Sequence, residues 1–230
     1  MAKKTETKPH YHGHRERLRQ RFDESGASAL ADYELLELIL FRAIPRRDVK
    51  ALAKTLIAVF GDFSAVLSAE PERLMEIPGI SVSVAREIRI VRAAGLTMQL
   101  ESLQNKPVIT SWSALETYCR SLLAHEKREQ FRVLFLDKKN RLIADEQQNQ
   151  GTIDHTPVYP REVMRRALEL GSSAVILVHN HPSGDPTPST DDIDMTKRII
   201  TAGKALNIRI HDHIIVGRTM TTSFKALQLI

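Results

Sequence analysis

Two histidines one residue apart, His179 and His181, close the apolar run Ala174-Val-Ile-Leu-Val178, and a carboxylate, Asp192, follows beyond a short loop. In an extended chain, side chains at i and i+2 point the same way, so both imidazoles can reach one ion. The loop, Pro182-Ser-Gly-Asp-Pro-Thr-Pro188, is rich in Pro and Gly and leads to a helix with Asp192 in its first turn. The helix dipole favours a negative charge there. Two neutral imidazoles and a carboxylate suit Zn²⁺ at about 2.0–2.2 Å and leave a fourth position for water. Such an ion lowers the pKa of water from about 15.7 to about 7, which is hydrolytic chemistry. The same donors also suit iron or manganese. A plainer reading has two ordinary polar histidines, with Ser189-x-x-Asp192 as a helix cap. The combination of strand end, stiff loop and returning carboxylate brings the metal reading level with the plainer one.

The elements that must position these groups follow from periodicity. The first hundred residues read as helices: a charged segment from Arg15 to Glu24, a helix from Tyr33 to Phe41 capped by Asp32 and stopped at Ile44-Pro45, and one from Val49 to Phe60 capped by Asp48. A short helix from Pro71 to about Ile77 and another from Val82 to Ala94 come next, and Leu100 to Lys106 reads as a linker. Beyond it the pattern changes. A helix capped by Ser113 precedes the strand-like runs Phe131–Leu136 and Arg141–Ala144 around an Asp137-Lys-Lys-Asn140 turn. Then come a helix from Pro160 to Leu170, the buried strand before His179, a helix from Ser189 to Leu206 and a strand from Ile208 to Val216. The expected fold is mixed α/β: a flexible arm (1–13), a helical domain (14–100), and a sheet domain with flanking helices (107–230).

Composition narrows the classes. With 42% hydrophobic and 27% charged residues the chain can bury a core, and no apolar stretch approaches the ~20 residues of a membrane span. Cys119 is alone, so neither a disulfide framework nor a cysteine-built zinc site is expected. The N-terminus is basic without an apolar run behind it, which leads us to expect a cytoplasmic protein. Net charge is +5, and the residues through Phe22 hold all of it: Lys3, Lys4, Lys8, Arg15, Arg17, Arg19 and Arg21 against Glu6 and Glu16. Such an arm can sit on phosphates or serve only as a solvated leader.

The motif His179-x-His181-Pro, then Ser189 and Asp192, resembles the JAMM (MPN+) metalloprotease signature in register. Its surroundings resemble one branch, the RadC or UPF0758 family, through Asp32-Tyr-Glu-Leu-Leu-Glu37, Pro45-Arg-Arg-Asp48, Thr156-Pro-Val-Tyr-Pro-Arg-Glu162, His179-Asn-His-Pro-Ser-Gly184 and Asp212-His213. The resemblance runs from about His14 to the end. It implies an MPN-like (cytidine-deaminase-like) sheet domain, zinc held by His179, His181 and Asp192, and Ser189 donating to the oxyanion of a tetrahedral intermediate. It also implies an upstream glutamate as the base; Glu129, just before Phe131, fits that place best, with Glu126 the competitor. The substrate would be a protein or peptide, cleaved at a peptide or isopeptide bond. Asn180 departs from the Ser or Thr of deubiquitinating members and argues against a ubiquitin-like substrate.

Other polar residues have more than one reading. His211-Asp-His213 repeats the His-x-His pattern without a spaced carboxylate; Asp212 is expected either to orient a ligand imidazole or simply to pack. His155 is expected to line the cleft or to have no role. Leu74-Met-Glu-Ile-Pro-Gly79-Ile-Ser81 and the helix after it look like a helix-hairpin-helix, which holds DNA phosphates on backbone amides without reading bases. Arg86, Arg89 and Arg92 add charge, whereas Ser81 replaces the usual second glycine. The alternative function is therefore DNA binding or DNA processing linked to repair or recombination, through this domain and the basic arm.

Overall fold

A computed structural model describes residues 13–148 and 158–230. The expectations for Lys3, Lys4 and Lys8 of the arm and for His155 lie outside the described residues. The chain divides into two compact units, Met1–Ala94 and Gly95–Ile230.

The first unit is helical: α1 (His14–Ser25), α2 (Asp32–Ala43), α3 (Lys50–Phe60), α4 (Phe63–Ser68) and α5 (Pro71–Met75), then the start of α6 (Val82–Gln104). Its core gathers Leu18, Leu36, Leu40, Val49, Ala53, Leu56, Val66, Leu74 and Ile88, all buried. Helix α2 begins at Asp32 rather than being capped by it, because Glu34 reaches back to accept from the Ala31 N–H at 3.0 Å. Helix α4, unexpected from periodicity, is nucleated by Asp62, whose carboxylate accepts from Ala65 N at 2.7 Å. The expected linker at 100–106 is helical through Gln104: Leu96, Leu100 and Leu103 supply one more apolar stripe, which packs on the core of the second unit.

The second unit continues with α7 (Trp112–Leu123), β1 (Phe131–Leu136), β2 (Leu142–Gln148), α8 (Pro160–Glu169), β3 (Ala174–Asn180), α9 (Thr190–Ala205), β4 (Arg209–Val216) and β5 (Thr221–Ser223). The strands form one sheet in the order β2-β1-β3-β4-β5, antiparallel except for the β3–β4 pair. All seven residues of β3 are buried, as befits a central strand covered on both faces. On one face Leu134, Ile176, Val178 and Ile214 pack with α7; on the other Val133, Val175 and Leu177 pack with Val163 and Ala167 of α8 and Ile199 of α9. Each such fully buried branched side chain contributes about 1.5–3 kcal/mol. Strand β4 carries a bulge: Val175 pairs with Ile210 but Ile176 pairs with Asp212, leaving His211 as the extra residue. That offset turns His213 toward the α9 face of the sheet, the face His179 also occupies. No helix among the described residues is long and apolar enough to cross a membrane.

Candidate metal centre

Strand β3 delivers His179 to the sheet's α9 face, fully buried, with Phe131 as its cross-strand partner and its ring stacked on that phenyl at 6.0 Å. One residue past the strand end, His181 is held by two backbone contacts: its N–H donates to Val216 O at 3.0 Å, and its ring Nδ1 meets Asp185 O at 2.8 Å. A carbonyl oxygen only accepts, so Nδ1 carries the proton and Nε2 presents a lone pair. The loop is fastened again where Arg218 N donates to Gly184 O at 3.0 Å, close against Gly217. Ser189 caps α9: its Oγ accepts from Asp192 N at 3.1 Å and donates to Asp192 Oδ2 at 2.6 Å, while its own N–H donates to the same oxygen at 2.8 Å. This cap aims the carboxylate at the histidines.

The three expected ligands therefore converge, with ligand atoms within 4.8 Å of one another. His179 Nε2 and His181 Nε2 lie 3.0 Å apart; Asp192 Oδ1 is 3.1 Å from the first and Oδ2 is 3.4 Å from the second. Donors about 2.05 Å from a tetrahedral zinc stand about 3.3 Å apart. The residues present fit such an ion in type and spacing. Two ring nitrogens and a carboxylate facing one another also need positive charge between them. The His181 pKa is raised in keeping with this, first by its contact with Asp192 and against the effect of burial, with Glu129 adding to the field. Partial burial works to raise the Asp192 carboxyl, but hydrogen bonding with His179, His181 and Ser189 holds it well below the usual carboxylate range.

An open cleft of about 860 Å³ adjoins the centre, lined by Glu129, Asp192, Tyr159, Met195, Lys197 and Arg198 among others. Glu129, half-buried, thus shares a wall with Asp192, whereas Glu126 Oε2 accepts from Gln130 Nε2 at 3.0 Å. Sequence reasoning missed what sets the Glu129 loop in place. Asn180, 1% exposed between the two candidate ligand histidines, accepts from Gln130 N at 2.9 Å and donates to Arg128 O at 3.1 Å and Glu126 O at 3.3 Å. Any residue without an amide there leaves these groups unmatched, which is a structural reason for the departure from Ser or Thr.

Asp212 does not orient a ligand imidazole. Its carboxylate accepts from Lys225 N at 3.0 Å, His213 N at 2.7 Å and the Ser223 hydroxyl, tying β4 to the C-terminal turn. The residue that meets a ligand is His213, with Nε2 2.8 Å from His179 Nδ1. A period-two count from Ile210 puts His213 on the other face, so only the bulge reveals it. His211 points elsewhere, to Asn140 Oδ1 at 2.6 Å.

In the first unit, Gly79 has φ +98° in the turn between α5 and α6, and a Cβ there would lie 2.9 Å from an Arg47 guanidinium nitrogen. Ser81 caps α6 by accepting from Val84 N at 3.4 Å. Arg47, Arg86 and Arg89 are exposed.

Comparison with known families gives two matches. Residues 109–229 match the model described as the RadC-like JAB domain, and residues 12–85 match the one described as UPF0758 N-terminal.

Proposed function

The chain belongs to the RadC-like JAB domain family, and from that premise we propose that it is a zinc-dependent hydrolase cleaving a peptide or isopeptide bond with activated water. The observation that supports this reading is the convergence of His179, His181 and Asp192, the last of which lines an open cleft together with Glu129. Those three residues would hold the zinc, which supplies Lewis acidity and lowers the pKa of water to about 7. Glu129 takes a proton from the attacking water on its carboxylate and returns it to the leaving amine nitrogen. Ser189 turns its Oγ–H from Asp192 to the oxyanion of the tetrahedral intermediate. Tyr159 and Met195 offer apolar contact to substrate side chains, and Lys197 and Arg198 offer positive charge farther along α9. The test is a screen of zinc-loaded protein over peptide, isopeptide and DNA substrates, with Asp192→Ala as blank and Glu129→Gln as base variant. The reading expects amide cleavage that the blank lacks, and a glutamine variant that keeps zinc without turnover. Cleavage of DNA alone, or undiminished activity in Asp192→Ala, would refute it.

A second reading concerns the helical unit, and rests on the Arg47 guanidinium lying over the left-handed Gly79 turn. We propose sequence-independent contact with DNA phosphates there, aided by Arg86 and Arg89. Affinity should then fall linearly on a log–log salt plot, with Arg47→Ala lowering the slope by about 1. Binding that ignores salt, or a slope unchanged in that variant, would remove this second reading.

A further inference from the structure

His213 has no part in the reaction outlined above, yet it is among the most constrained side chains of the second unit. It is 0% exposed, and its ring lies 4.5 Å from that of Phe224 and 5.6 Å from that of Phe131. Both ring nitrogens are engaged, Nδ1 by Thr196 Oγ1 at 2.7 Å and Nε2 by His179 Nδ1 at 2.8 Å. Thr196, also 0% exposed, donates its single hydroxyl proton to Asp192 O at 2.6 Å, one helical turn back in α9.

These contacts leave one self-consistent arrangement of protons. Because the Thr196 hydroxyl gives its proton to Asp192 O, toward His213 it can only accept, so His213 carries its proton on Nδ1. With a metal on its Nε2, the one proton of the His179 ring sits on Nδ1, the atom that faces His213 Nε2 at 2.8 Å. His213 Nε2 is then an acceptor, and His179 must donate to it from Nδ1. His179 Nε2 is left as a bare lone pair, directed at His181 and Asp192. The chain of contacts starts at the backbone of one ligand, Asp192, and ends on the ring of another, His179.

We propose that His213, oriented by Thr196, is a positioning residue that fixes the tautomer and ring angle of His179, so that the Nε2 lone pair is presented to the metal. This rests on the zinc reading of the centre, in which the metal takes the Nε2 lone pair of His179. Hydrogen bonds to the far nitrogen of a ligand imidazole commonly alter metal affinity about 10–100-fold. Thr196 and His213 come from different elements, α9 and β4, so the arrangement exists only in the folded unit.

The test uses the full chain with three substitutions. His213→Leu fills the space without an acceptor, His213→Gln returns an acceptor near the place of Nε2, and Thr196→Val removes the hydroxyl at nearly constant volume. Zinc affinity is read by competition with a chromophoric chelator, and folding by the melting of the metal-free proteins. We expect about 10–100-fold weaker zinc binding in His213→Leu and a loss of about tenfold in Thr196→Val, with substantial recovery in His213→Gln. Independently, two-bond proton–nitrogen correlations of the zinc-loaded wild type at pH 8 should show His213 protonated on Nδ1 alone, with the one proton of His179 also on Nδ1. A folded His213→Leu protein with wild-type affinity, a glutamine variant no better than leucine, or His213 protonated on Nε2 would overturn the proposal. Should the leucine variant fail to fold, Thr196→Val and the wild-type spectrum decide. A wild type that takes no zinc would sink the hydrolase reading and this one with it, whereas zinc binding with His213 protonated on Nε2 would sink this one alone.

Discussion

Gly217 allows the loop that holds His181 to be tested without touching a ligand. A Cβ at this position would lie 2.5 Å from Gly184 O, 2.8 Å from Pro186 Cδ and 3.2 Å from Met220 O. To reach an ordinary contact of 3.4 Å, the Gly184 carbonyl and the new methyl must separate by about 0.9 Å, and the carbonyl is backbone while the methyl is bonded directly to backbone. Forcing a methyl into such a space costs about 1–3 kcal/mol. For a unit of this size that corresponds to a drop in Tm of about 3–15 °C. The strain falls on the segment that fixes His181 through Asp185 O, and metal bonds tolerate displacements of only about 0.2 Å. Gly217→Ala should therefore also weaken zinc at least about tenfold, measured by chelator competition on folded protein. Gly203→Ala is the control. Its Cβ would meet Ile208 O at the same 2.5 Å, but in the turn between α9 and β4 rather than in the His181 loop. Helix propensity returns about 1 kcal/mol in that variant, so its stability loss should not exceed that of Gly217→Ala. Its zinc affinity should stay at the wild-type value. Two alanine variants that lose zinc equally, or a Gly217→Ala protein unchanged in both measurements, would refute the reasoning.

Further outcomes can be checked directly. Purified protein should carry about one zinc, and His179→Ala with His181→Ala should carry none, by elemental analysis. Zinc affinity should fall as pH drops through the raised pKa of His181, because the proton that the contact with Asp192 stabilises on the ring competes with the metal. Glu146, paired with Arg166 at 2.6 Å, has its pKa lowered chiefly by that hydrogen bond. Its contribution to stability is therefore complete above its unfolded value of about 4.3 and disappears as pH falls through the lower folded value. Glu146→Gln should melt earlier than wild type at pH 7 and converge with it in acid; a constant difference across that range would contradict the assignment.

Much of the geometry of the candidate metal centre was legible because its parts are close in sequence. His179, His181, Ser189 and Asp192 lie within one strand end, one loop and one helix cap, and local rules govern each of these pieces. The sheet order and the end of α6 were harder to read. The stripe Leu96-Leu100-Leu103 looked like fading periodicity, because the surface that makes those residues buried comes from elements far along the chain. Asn180 stood out only as a departure from a motif, since its three partners lie about fifty positions earlier. His213 was obscured for a different reason: its face depends on a pairing irregularity that composition does not announce.

That irregularity, the extra residue His211, reconciles two demands that a regular strand could not meet together. Ile210 must face α9, where it lies against Gly203, and His213 must face the same helix to reach His179. They are three residues apart, an odd interval, whereas an alternating strand returns to a given side only at even ones. His211 absorbs the odd count. The length of β4 is therefore constrained as tightly as its composition, and one added or omitted residue here would act as a change of parity.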